Sequence, residues 1–202
     1  MKLLLFSDLH GDMKQLRKLI MQAKNADAVL CAGDMSVFEQ DLKEILEKFR
    51  EFQVPVFVIP GNHEDEESIS VLCEDIPNVH DVHMAAVGMK NLIVIGHGGG
   101  GFSHTSPEFQ AVSSILAAQV RKHKKRYADA HCVLMTHQPP YKTRPDTIFD
   151  EHTGNKDYRK FIMRYQPDIA LCGHIHETAG TESILKKTRV INPGPAGVFV
   201  DL

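Results

Sequence analysis

At 202 residues, 43% of them hydrophobic and 24% charged, the chain has the length of one domain and enough apolar side chains for a single large core. A formal net charge of -3 leaves no basic excess that would hold nucleic acid and no charge block that would form a tail. The N-terminal apolar run, Leu3 to Phe6, is too short for a signal peptide or a membrane span, and the later runs are equally short.

The first apolar run, "LLLF" at 3–6, reads as a buried strand. Residues 12–24 then place Met13, Leu16, Leu19, Ile20 and Ala23 at helical spacing. "AVLCA" at 28–32 is a second strand. Leu42, Ile45, Leu46, Phe49 and Phe52 mark a helix from Asp41 to Phe52, and "VFVI" at 56–59 and "LIVI" at 92–95 are further strands. Ser106 as cap and Pro107 at the first position open a long helix to about Tyr127. Its basic end, "RKHKKR" at 121–126, suits a helix C-terminus and reads as a solvated face. "CVLM" at 132–135 and "IALC" at 169–172 are two more buried strands, and the tail from about Gly180 is β-rich around the turn "NPGPAG" at 192–197. Strands alternating with helices indicate an α/β layered fold. No repeat or linker interrupts it, so residues 1–202 are expected to form one domain. Cys31, Cys73, Cys132 and Cys172 lack metal-type close spacing and read as free core thiols of a reducing cytoplasm.

Five of these strands end in the same kind of residue. Asp8 and His10 follow the first, Asp34 the second, Asn62, His63 and Glu64 the third, His137 that at 132–135, and His174 and His176 the last. In open α/β sheets the carboxyl ends of strands are where ligands bind. Carboxylates, imidazoles and one amide carbonyl form a metal-ligand set of mixed hardness without thiolates, which disfavours a structural zinc knot. The donors are too many for one tetrahedral ion. They suit two ions ~3.5–4 Å apart with a shared carboxylate. Glycines before Asp34, Asn62 and His174 give the backbone room to leave each strand sharply. His174 and His176, two apart, can then stand side by side because a metal keeps each deprotonated. His80, His83, His104, His123, His131 and His152 fall outside this pattern. His97, in "IGHGGGG", either lines the site or belongs to a tight glycine loop.

In order, D-x-H, G-D, G-N-H-E, T-H and G-H-x-H, from Asp8 to His176, resemble the motifs of the calcineurin-like metallophosphoesterase superfamily. That resemblance implies a two-sheet β-sandwich flanked by helices, an αββα architecture. It implies one metal held by Asp8, His10, Asp34 and His176 and a second held by Asp34, Asn62, His137 and His174. Asp34 would be the bridge, a bridging hydroxide the nucleophile, and His63 a non-ligand facing the leaving-group oxygen. The nitrogen-rich ligands favour Mn2+ over Mg2+, with Fe, Ni, Co or Zn as alternatives. Protein phosphatases of the family extend the second motif to G-D-x-x-D-R-G, whereas this chain has Val37 and Phe38 where the acid and arginine would stand. The expected activity is therefore that of a small prokaryotic phosphodiesterase acting on a small-molecule ester, with no membrane partner and no nucleic acid. A phosphomonoesterase with the same centre, or a non-catalytic scaffold of the same fold, is the alternative. The segment from His137 to Asp157 is long for a connection, and Tyr141, Lys142 and Arg144 within it are candidate substrate contacts.

Overall fold

The six apolar runs are strands buried on both faces, and alternate residues along them serve different cores. In a computed structural model describing residues 1–202, β1 (Lys2–Phe6), β2 (Ala28–Cys31), β3 (Val56–Val58) and β4 (Val79–Asp81) form a parallel sheet, with β13 (Val198–Asp201) antiparallel on the β1 edge. Helices α1 (Met13–Gln22), α2 (Leu42–Phe49) and α3 (Glu66–Glu74) connect these strands. The second sheet has β6 (Leu92–His97), β7 (His131–Thr136), β10 (Ile169–Leu171) and β12 (Thr188–Asn192) in parallel, with β5 (Ala85–Met89) and β11 (Thr181–Leu185) antiparallel at its edges. Helices α4 (Pro107–Lys124) and α5 (Lys156–Tyr165) belong to this half. A short hairpin, β8 (Thr147–Ile148) with β9 (Glu151–His152), precedes α5.

Apolar packing fills three layers, not the single core that composition suggests. Leu4, Phe6, Val29 and Val58 face Leu16, Leu19, Ile45, Leu46, Phe49 and Ile69 on the helices of the first half. Leu3, Leu5, Leu30 and Phe57 meet Val94, Val133, Met135, Leu171 and Ile191 between the sheets. Ile93, Ile95, Leu134, Ala170 and Val190 face Phe109, Leu116, Phe161 and Ile162 on α4 and α5. Side chains alternate across a pleated strand, so only strands sandwiched between two apolar layers need continuous apolar sequence. The four layers, helices–sheet–sheet–helices, are the αββα architecture.

Two helices escape a reading based on long periodic runs. Asp65 caps α3 by accepting from the Glu67 and Ser68 N–H groups, and Asn155 caps α5 by accepting from Asp157 and Tyr158. Elsewhere the expected helices end early. α1 passes into a 3-10 turn at Ala23–Asn25, α2 stops at Phe49 although Phe52 stays buried, and α4 stops at Lys124. All four cysteines are buried and unpaired. No helix is long and apolar enough to cross a membrane.

Candidate metal centre

The carboxyl ends of β1, β2 and β3 in one sheet and of β7 and β10 in the other open onto the same place. Asp8, His10, Asp34 and His176 bring one ligand atom each to within 4.8 Å of one another. Within this group the Nε2 atoms of His10 and His176 face each other at 2.9 Å, and His10 Nε2 lies 3.7 Å from Asp34 Oδ2. Asn62, His137 and His174 converge beside it. Asn62 Oδ1 is 3.0 Å from His137 Nε2 and 2.7 Å from His174 Nδ1, and His137 Nε2 is 3.3 Å from Asp34 Oδ2. The seven residues that sequence motifs single out thus come together around Asp34.

The donor chemistry fits cations. His137 Nδ1 is 2.7 Å from the Ala32 carbonyl, which only accepts, so that nitrogen carries a proton. In the neutral ring Nε2 then offers a lone pair, and it faces Asp34 Oδ2 and Asn62 Oδ1, which are acceptors too. Three lone pairs meeting at one point require a positive charge among them. Metal bonds of ~2.1 Å at roughly right angles set neighbouring donors ~3 Å apart, the spacing found here. A proton can substitute: burial alone pushes His137 down, but the adjoining Asp34 carboxylate pulls it up to about 9. In the same pair burial would raise Asp34, yet His137 and the His63 backbone N–H hold it at about 2. His174 is pushed down to about 4 by burial and by the neighbouring His137, which leaves it neutral and ready to ligate.

Holding these donors requires unusual backbone. Asp8, His10, Asp34 and His174 are all left-handed, with φ of 55°, 44°, 52° and 70°. Such conformations cost an L-residue ~1–2 kcal/mol each, and they concentrate where function over-determines the geometry. Close approach is equally demanding. A Cβ on Gly61 would overlap the Asp34 carboxylate, and one on Gly173 would sit 2.6 Å from Asp8 Oδ2. The glycines before Asn62 and His174 are therefore there for room.

Glu64, to which sequence alone assigns no role, is the support. It is 8% exposed, and its carboxylate accepts from the backbone N–H groups of Asp34, Ser36 and Gly61 and from the Ser36 hydroxyl, at 2.8–2.9 Å. It clamps the β2 and β3 loops to each other. The only available signal is its place as the fourth residue of G-N-H-E. His63 stands beside the cluster, its Nε2 4.0 Å from Asp34 Oδ2, and its Nδ1 accepts the Phe38 N–H at 3.3 Å. His97 does not line the centre. It is 2% exposed, lies 2.8 Å from the Tyr158 hydroxyl, packs on Phe109 and is pushed down to about 4 by burial. The 138–156 segment is built around the buried Asp146, whose carboxylate accepts from the N–H groups of Lys142, Thr143 and Gly154 and pairs with His152. Tyr141 faces His104 and His152.

Two parallel-cored sheets meeting at a carboxylate–imidazole cluster define a layered α/β protein with a candidate metal centre at the strand ends. The chain belongs to the calcineurin-like phosphoesterase family, whose pattern matches residues 1–178. It is 30% identical over 210 residues to an uncharacterized protein of Methanocaldococcus jannaschii, covering 99% of this chain and 91% of that one. It is 24% identical over 185 residues to an Arcobacter nitrofigilis protein named "Probable glycerophosphodiester phosphodiesterase GpdQ", covering 86% of this chain and 66% of that one. Among solved structures, the Thermus thermophilus protein TT1561 superposes with a TM-score of 0.72 at 16% identity, over 96% of this chain and 90% of that one. Family and cluster together make this a metal-dependent phosphoesterase.

Two outcomes follow. Glu64→Ala removes the acceptor for buried donors on two loops, at ~1–3 kcal/mol per unpaired donor. Thermal unfolding should show a loss of several degrees, and titration calorimetry should show weaker metal binding. A variant with unchanged Tm and metal affinity would make Glu64 a bystander. Metal binding should also displace the His137 proton. Because that group is raised to about 9, it is protonated at neutral pH without metal. Affinity should then rise about tenfold per pH unit from 6 to 8. Calorimetry in buffers of different ionisation enthalpy reads the released proton directly, and pH-independent affinity would contradict the assignment.

Proposed function

We propose that the chain is a single-domain, cytoplasmic, two-metal phosphodiesterase that hydrolyses a small-molecule ester. The observation that carries this reading is the convergence of two donor sets on one shared carboxylate, Asp34. Asp8, His10, Asp34 and His176 would hold one ion, and Asp34, Asn62, His137 and His174 the other. A pair of divalent ions there, Mn2+ by ligand type, supplies Lewis-acid activation of a water and of a phosphoryl oxygen.

The chain's own residues orient and protonate. Ala32 fixes the His137 tautomer, leaving Nε2 free toward the centre. Asp34 is held on both sides, by Glu64 at its backbone N–H and by the His63 N–H at Oδ1. With Phe38 donating to Nδ1, neutral His63 carries its proton on Nε2, on the side of the centre. Once Nδ1 has taken a proton from solvent and released the Phe38 N–H, the imidazolium donates its Nε2 proton to the departing oxygen and returns to the neutral ring. The diester preference is supported by the loop after Asp34, which offers Val37 and Phe38 where a guanidinium would grip a dianion. The name of the Arcobacter relative points the same way.

Removing metals should abolish hydrolysis, and Mn2+ should restore it better than Mg2+. In the Mn2+ protein, kcat/KM should be higher for bis(4-nitrophenyl) phosphate than for 4-nitrophenyl phosphate. Faster monoester turnover would favour the phosphomonoesterase reading, and no turnover of either ester under any metal would favour a scaffold.

His63→Gln tests the proton donor. General acids contribute ~100- to 10,000-fold. The variant should keep its metals and lose most activity on diesters with poor alkoxide leaving groups, while sparing 4-nitrophenolate, which needs little protonation. A uniform loss across a graded series, with metal content intact, would leave His63 as a hydrogen-bond donor only.

A further inference from the structure

Two aromatic rings stand in solvent beside the cluster. Phe38 is 77% exposed and Phe102 64%. Each sits tilted against an imidazole of the centre. The Phe38 ring lies 4.4 Å from that of His63, and the Phe102 ring 4.6 Å from that of His174. They come from different sheets. Phe38 is on the loop after β2, and Phe102 is at the end of the glycine run after β6. Since the carboxyl ends of both sheets open onto the cluster, one ring reaches its mouth from each sheet.

Hydrophobic burial does not account for these rings, because most of each remains in water. Nor is Phe38 where a relaxed backbone would leave it. It has φ of 48°, and Glu39 follows at 63°, a region that bulky residues avoid. The strained turn is pinned to the centre by Phe38 N–H on His63 Nδ1 and by Glu39 N–H on the His63 carbonyl at 3.1 Å. Its effect is to hold an apolar ring over the side chain nearest the expected leaving group. Phe149, by contrast, is 95% exposed at the tip of the β8–β9 hairpin and touches no imidazole.

We propose that Phe38 and Phe102 form an aromatic subsite for the organic part of the substrate, so that the preferred esters carry a planar ring next to the phosphate. This rests on the reading of the centre as a phosphoester site. A flat ring sliding over the outer face of either phenylalanine gains stacking contact that an alkyl group of the same charge lacks. A phosphoryl group held at the cluster would fix the distance, and the rings would select what hangs from it.

Binding of phosphonate monoesters separates selection from chemistry. On the Mn2+-loaded protein, calorimetry should give the monomethyl ester of phenylphosphonate, a diester-like monoanion, an affinity ~10-fold above that of the monomethyl ester of methylphosphonate. Phe38→Leu, which keeps apolar bulk without a flat face, and Phe102→Ala should each cut that ratio ~2- to 10-fold. Phe149→Ala should leave it intact. Equal affinities for the two phosphonates in the wild type, or a ratio that survives both substitutions, would overturn the subsite while leaving the phosphoester reading in place. Failure of the methylphosphonate monoester itself to bind would instead overturn that underlying reading, and the subsite with it.

Discussion

The carboxylate of Asp34 is the point about which the molecule is arranged. It is 2% exposed. One oxygen accepts the His63 N–H, while the other faces His137, His10 and His63 at 3.3, 3.7 and 4.0 Å. A buried carboxylate is tolerable only when its lone pairs are met by donors or cations. Here they are met by residues from strands of both sheets. The charge that makes the site useful is also what obliges the two halves of the fold to close on it.

Closure is enforced by hydrogen bonds that run from loop to loop. The His10 N–H donates to the Asp34 carbonyl, the His174 N–H to Asp8 Oδ1 and the Gly173 N–H to the His137 carbonyl. The first joins neighbouring strand ends within one sheet, the second crosses between sheets, and the third joins two strand ends of the other sheet. Glu64 adds four acceptor contacts across the β2 and β3 loops. These bonds offset the left-handed backbone at Asp8, His10, Asp34 and His174. Rigid strands bring these side chains near, and this polar lattice sets their final positions. Preorganisation of that kind means little reorganisation is left for the moment of reaction.

Other buried polar residues serve architecture. Asp146 gathers the 138–156 segment onto its carboxylate, so a connection that looks long and loose in sequence is a folded unit. His97 is a core imidazole sharing a hydrogen bond with Tyr158 and packing against Phe109. The basic end of α4 remains on the surface, with Arg121, Lys124 and Lys125 edging an apolar recess over Phe161 and Tyr165, separate from the cluster.

By itself the sequence determined six of the strands and the polar residues that converge at their ends, but not β4, β5 or the β8–β9 hairpin. Continuous apolar runs are legible because each strand is buried on both faces, so neither face dilutes the pattern with polar residues. Asp8, His10, Asp34, Asn62, His137, His174 and His176 are legible because each follows such a run directly, and a strand end is a fixed place in an α/β layer. Short helices were harder. α3 and α5 show only a capping residue and a few apolar positions, and their packing against a sheet, not their propensity, makes them helices. Only the tertiary structure decided what Glu64, His97 and the two exposed phenylalanines do. A carboxylate that clamps two loops, an imidazole turned into a core and a ring laid against a histidine from another strand are all defined by long-range neighbours. Residue type and spacing carry no record of which backbone N–H groups, or which ring, will lie opposite once the two sheets have closed.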